Sequence, residues 1–168
     1  ETQADLVSVA IPIKDRRGLT SSGIGNIDDP WNAYRRLTMR ELMQMPETFD
    51  ISDTPHPDRY LLHNTGCWAC DLRRPVFYET DANGCLRACF NFPLRARLGD
   101  DGMLIHERES EDWYFSRQLN ALGAKTAITR KVEVCHVGEM EFANSSAWGQ
   151  YHIDEETKCK WEPAAVGQ

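Results

Sequence analysis

The chain has 168 residues, with 26 acidic against 19 basic side chains and a formal net charge of -7. That length suits one domain, and 41% hydrophobic with 27% charged residues is the make-up of a folded chain, not a disordered one. The acidic balance argues against a nucleic-acid binder working through a broad basic face, and no apolar run reaches the roughly 20 residues of a membrane-spanning helix.

The first residues are polar and give no sign of a secretory leader. The apolar, β-branched run Leu6 to Ile13 predicts a strand buried on both faces. Residues 14–36, with Gly18, Gly23, Gly25 and Asp28-Asp29-Pro30, read as a long polar loop. Loops of that length are commonly lids or binding loops. Its Arg16, Arg17, Trp31, Arg35 and Arg36 are candidates to close over phosphates or an acceptor, or else simply a solvated basic stretch. Thr38-Met39-Arg40-Glu41 has the form of a capping box, predicting a short helix to about Met45, stopped by Pro46. Residues 47–59 read as loop. Tyr60 to Leu72 holds two apolar stretches, of which the second reads as a buried strand. Asp81-Ala82-Asn83-Gly84 and Asp100-Asp101-Gly102 read as turns, and Leu86 to Phe92 as a strand. Ser110-Glu111-Asp112 opens a helix whose apolar residues Trp113, Phe115, Leu119 and Leu122 recur at spacings of three and four, and Gly123 is its expected stop. Two strands follow, Lys125 to Thr129 and Lys131 to His136, and the chain after Trp148 is polar and unpatterned.

The cysteines are at 67, 70, 85, 89, 135 and 159. Cys67, Cys70, Cys85 and Cys89 have a spacing that could supply four zinc thiolates. On a strand, however, residues three apart point to opposite faces, and a cysteine there also serves as a small apolar filler. Free thiols in a reducing cytoplasm are the expectation. Asn144-Ser145-Ser146 is a formal glycosylation sequon, read as chance without a secretory route.

Three features could carry chemistry. Asn64-Thr65-Gly66 precedes a strand, where glycine lets backbone approach a ligand or simply makes a turn. Glu111 and Asp112 stand at a helix start, where a carboxylate can serve as general base or merely cap. His136 ends a β-branched strand and is followed by Gly138; it suits metal ligation or a plain backbone hydrogen bond.

Taken in order, Ser110 to Leu119, Gly123, Ala127 to Val132 and His136-Val137-Gly138 closely resemble the acceptor half of GT-A glycosyltransferases, especially the family 2-like ones. The run Ala4 to Ala10 also looks like the strand that follows the metal motif of those enzymes. The resemblance implies an α/β fold, a partial GT-A mixed sheet flanked by helices. It covers roughly residues 4–149, so that 1–149 is expected to be the acceptor-side part of the domain and 150–168 a polar C-terminal tail. It implies a nucleotide-sugar donor, a carbohydrate or other hydroxyl acceptor, and a divalent cation, Mn2+ or Mg2+. Asp112 would be the base of an inverting transfer, with Glu111 orienting acceptor or capping the helix. Asn64, Thr65, Gly66 and Trp113 would contact donor or acceptor, and His136 would ligate the metal. An imidazole suits Mn2+ better than Mg2+.

One departure is plain: the sequence has no Asp-x-Asp, the metal motif of the family. The expectation is therefore a second half of a GT-A domain. Its donor half would lie upstream or on a partner chain, and the edge of the strand from Leu6 to Ile13 would be open. The other readings are a non-catalytic carbohydrate-binding or structural remnant of such a domain, and a zinc-stabilised interaction module.

Overall fold

The structure is a computed structural model and describes residues 3–154. The first strand, β1 (Leu6–Val9), is followed by β2 (Leu19–Ile24), β3 (Arg35–Thr38) and the short helix α1 (Met39–Leu42). Next come β4 (Thr48–Phe49), a 3-10 turn at Ile51–Asp53, β5 (Leu61–Leu62), β6 (Trp68–Cys70) and a second 3-10 turn at Pro75–Phe77. The hairpin β7 (Leu94–Leu98) and β8 (Leu104–Arg108) leads into the long helix α2 (Glu111–Ala121). The described chain ends with β9 (Thr126–Thr129) and the hairpin β10 (Cys135–Val137) and β11 (Glu141–Ala143). The chain is thus α/β with a mixed sheet, but with only two α-helices among the described residues.

The main sheet has the order β4-β9-β1-β6. β1 runs parallel to β9, Leu6 opposite Thr126, and antiparallel to β6, Leu6 opposite Cys70. The expected open edge at Leu6 is therefore absent: β1 is an interior strand with a neighbour on each side. A second sheet, β3-β2-β5, is antiparallel throughout.

Two apolar clusters hold these layers. Ala10, Ile24, Leu37, Met39, Leu42, Phe49, Leu61 and Ile128 join the two sheets, and Leu6, Val76, Phe77, Phe115 and Leu119 fix α2. Phe115 and Leu119 lie four apart, so they share one face of the helix. A buried side chain of this size contributes about 1.5–3 kcal/mol.

Several expected elements differ. Residues 14–36 are not a lid: they contain β2 and the start of β3. Of the buried small polar side chains of β2, Thr20 is satisfied by backbone carbonyls, whereas the Ser22 hydroxyl has no hydrogen-bond partner among the described residues. The Thr20 hydroxyl donates to the Leu37 carbonyl at 2.8 Å. Gly25 is required where the chain leaves β2, since a Cβ there would lie 2.2 Å from the Tyr60 ring. Leu86 to Phe92 forms no strand. Leu86 makes one bridge to Thr80, and Phe90 instead stacks on Phe115 with ring centroids 4.5 Å apart. The strand expected to end at His136 is shortened to Cys135–Val137, and β6 is half-exposed rather than buried.

The capping box is present: the Thr38 hydroxyl accepts from Glu41 N–H, and the Glu41 carboxylate accepts from Thr38 N–H. α2 ends as expected, with Gly123 at φ +72. Residues 150–154, expected as tail, are docked: Gln150 N–H donates to the Arg16 carbonyl at 3.0 Å and Arg36 N–H to buried Asp154. The rest of the expected tail lies outside the described residues. The Asn144 side chain is fully buried, donating to the carbonyls of Ala10 and Val132 and accepting from Val134 N–H. It is a structural residue, not an accessible glycosylation site.

Candidate functional site

Helix α2 starts at Ser110, whose backbone is extended and whose hydroxyl makes no cap bond. Glu111 and Asp112 follow in the first turn of the helix. One Asp112 oxygen, Oδ1, accepts a hydrogen bond from the Thr65 hydroxyl. That leaves Oδ2 for another partner.

A buried chain of hydrogen bonds seats this corner. Ser116 Oγ donates to the Asp112 carbonyl at 2.7 Å and accepts from His63 N–H at 2.9 Å. His63 Nδ1 is 2.8 Å from Ser8 Oγ on β1. The His63 ring is 1% exposed, and burial pushes its pKa down to about 3, so it is neutral. Beside this chain, Glu109 is buried and takes both Nε and a terminal nitrogen of Arg117 at 2.9 and 2.6 Å. The paired carboxylate pushes the Arg117 pKa up. Together these bonds fix the start of α2 against β5 and the loop at 63–66.

A cavity of about 390 Å³ opens in front of this helix start. α2 contributes Ser110, Glu111, Asp112 and Trp113; Asn64, Ser21, Arg36, Trp31, Ile13, Phe92 and Arg108 complete it. Trp113 is held on two counts. Its indole N–H donates to the Ser21 carbonyl at 3.3 Å, and the Arg36 guanidinium lies 4.7 Å from its ring centroid. Trp31 carries the Arg95 guanidinium at 4.8 Å. The lining combines carboxylates, an amide, guanidinium groups and three aromatic side chains. Such a lining offers polar groups to hydroxyls and ring faces to apolar C–H patches.

Four residues expected from sequence thus line one cavity: Asn64, Glu111, Asp112 and Trp113. Thr65 is joined to it through Asp112. Gly66 does not line it. Its N–H donates to Asn64 Oδ1 at 2.8 Å, and a Cβ would lie 2.9 Å from that same oxygen, so the glycine makes the turn that presents Asn64. His136 does not line it either. Its Nδ1 is 2.8 Å from the Pro12 carbonyl, which can only accept, so Nδ1 carries the proton and Nε2 keeps its lone pair. That tautomer is the one a metal-ligating histidine adopts. Among the described residues, however, no group of three or more His, Cys, Asp or Glu side chains is arranged to hold a metal. One imidazole alone does not make a metal centre. The same finding leaves no zinc cage around Cys67, Cys70, Cys85 and Cys89, which are free.

Trp31 and Arg36 were legible only as members of a polar stretch. Phe92, Arg108 and Ser21 carried no sequence signal, because the β7–β8 hairpin and β2 bring them in from far along the chain.

A larger cavity, about 660 Å³, lies elsewhere, lined by Ala4, Phe49, Tyr60, Ser116, Asn120 and Lys125 among others. Ala4 and Lys125 precede the parallel strands β1 and β9, whereas Ile13 of the smaller cavity follows β1. Ligands of parallel sheets bind beyond the carboxyl ends of the strands. On that ground the smaller cavity, which also holds the carboxylates, is the candidate site. No described helix is long and apolar enough to cross a membrane.

No protein-family model matches the chain, and neither a curated protein nor a solved structure matches it.

Proposed function

We propose that this chain is the acceptor side of a GT-A-type glycosyltransferase, and that the cavity before α2 takes a carbohydrate or another hydroxyl acceptor. The observation that carries the reading is the Asp112 carboxylate in an aromatic and polar cavity, bound by Thr65 through one oxygen and open at the other. In the proposed reaction Asp112 Oδ2 takes the proton of the acceptor hydroxyl as its oxygen attacks the anomeric carbon of a nucleotide-sugar. The bond from that carbon to the nucleoside diphosphate breaks, the diphosphate leaves, and the configuration inverts. Glu111 and Asn64 orient the acceptor, Trp31 and Trp113 pack against its ring, and Arg36 holds Trp113 in place.

A divalent cation, Mn2+ or Mg2+, would neutralise charge on the leaving diphosphate. His136 is the ligand this chain offers, through Nε2; as one imidazole is not a complete site, no step here is routed through the cation. The absence of an Asp-x-Asp in these 168 residues favours a second reading, a carbohydrate-binding domain of the same ancestry without catalysis.

Acceptor binding is tested by titrating protein labelled at tryptophan with mono- and disaccharides while following the indole N–H resonances by NMR. Saturable shifts at Trp31 and Trp113, without shifts at Trp68 and Trp148, are expected. Sugars that move none of the five indole resonances at their solubility limit would remove both carbohydrate readings.

A further inference from the structure

The hairpin β7–β8 has two unlike faces. Side chains alternate along each strand and register partners share a face. Arg95, Arg97, Ile105 and Glu107 make the inner face, where Arg95 pairs with Glu107 and Asp29 and covers Trp31. Leu94, Ala96, Leu98 and Leu104 make the outer face with His106 and Arg108. There Leu94 is 76% exposed, Leu98 71% and Leu104 58%. An uncovered face this apolar is unusual for a strand pair.

The apolar stripe is continuous with the candidate site. Phe92, 56% exposed, precedes β7 and lines the cavity; Arg108, the register partner of Leu94, lines it too. From Leu94 to Leu98 the stripe runs roughly 13 Å outward at the usual strand rise. At the junction Arg108 has no ion-pair partner among the described residues, so a cation stands between a polar cavity and an apolar track. The order is hydroxyl-binding groups, a positive charge, then leucines.

We propose that the acceptor is a single amphiphile: a hydroxylated head in the cavity, an anionic group such as a phosphate on Arg108, and an alkyl chain along Leu94, Leu98 and Leu104. This rests on the acceptor reading above and adds the substrate class. The anion complements the lone guanidinium, and the chain covers the outer face that the fold leaves bare.

The test uses lysophosphatidylglycerol below its critical micelle concentration, with glycerol 3-phosphate as the same head without the tail. Methyl resonances of the three leucines report the track, and the indole resonances of Trp31 and Trp113 report the cavity. The lysolipid is expected to shift both sets with one affinity, at least tenfold tighter than glycerol 3-phosphate, which shifts the cavity alone. The triple variant Leu94→Ser, Leu98→Ser, Leu104→Ser changes only exposed positions and is expected to bind both compounds with the weak affinity of the head group. Equal lysolipid affinity in the variant and the unmodified protein overturns the proposal. So does a hairpin that shifts with protein concentration in the absence of lipid, which would make the face a contact between copies, or pelleting on neutral phosphatidylcholine vesicles, which would make it a bilayer contact. Leucine shifts without cavity shifts overturn the acceptor reading, whereas cavity shifts with sugars but none at the leucines overturn the amphiphile alone.

Discussion

His63 makes stability depend on pH in a way that is separable from every carboxylate. The ring is 1% exposed and burial alone lowers its pKa from 6.5 to about 3. The unfolded chain therefore takes up a proton below pH 6.5 that the native state refuses until about pH 3. The sign follows: this contribution is fully present above 6.5 and is lost as pH falls toward 3. At about 1.4 kcal/mol per pH unit, the loss is about 2 kcal/mol at pH 5 and about 5 kcal/mol in all, against a typical total stability of about 5–15 kcal/mol. The perturbation is acidification of the protein and of a His63→Asn variant, which keeps a polar partner for Ser8 but cannot titrate. Urea unfolding at pH 7.5, 6 and 5 reads the difference, and background carboxylates cancel between the two proteins. The unmodified protein should lose about 2 kcal/mol more than the variant between pH 7.5 and 5. Parallel pH profiles would refute the burial of a neutral ring at this position.

Three further predictions concern local structure. Thr38→Ala removes both the cap of α1 and the bond from Thr38 Oγ1 to the His152 carbonyl, and should cost about 1–2 kcal/mol by urea unfolding. Gly25→Ala would place a methyl 2.2 Å from the Tyr60 ring and should cost about 1–3 kcal/mol through displacement of that ring. Gly123→Ala meets no atom within 4 Å and should cost about 1–2 kcal/mol, from its left-handed backbone alone. A Tyr60 near-ultraviolet change in Gly25→Ala and none in Gly123→Ala distinguishes the two causes.

How much was legible in the sequence depended on how local the cause was. The Thr38–Glu41 box, the helix from Ser110 to Gly123 and the turn at Asp100-Asp101-Gly102 are each set by residues within a few positions of one another, and each stands where the sequence places it. β2 was hidden because Leu-Thr-Ser-Ser-Gly-Ile looks like loop until β3 and β5 supply its hydrogen bonds. Leu86 to Phe92 failed for the reverse reason: Phe90 packs against Trp68 and Phe115, and the segment does not pair in a ladder.

The site divides in the same manner. Asp112 and Glu111 were visible as acids at a helix start, and Asn64 and Thr65 as the turn before β6. His63 gave no signal, since its importance lies in contacts with Ser8 and Ser116, 55 and 53 residues away. Phe92 and Arg108 reach the cavity only through the fold of the hairpin.

The most direct test of the central claim is the rate of glycosyl transfer in Asp112→Asn. Nucleoside diphosphate release from a panel of nucleotide-sugars, with carbohydrate and lysophosphatidylglycerol acceptors, is measured for both proteins, each together with the donor half that the proposed reading assigns to an upstream segment or a partner chain. Asparagine preserves the size of the side chain and its bond from Thr65, but it cannot take a proton. The account predicts acceptor-dependent release in the unmodified protein and a fall of about 10²–10⁴-fold in the variant, with acceptor-induced Trp113 shifts retained. Undiminished acceptor-dependent release in Asp112→Asn would contradict it.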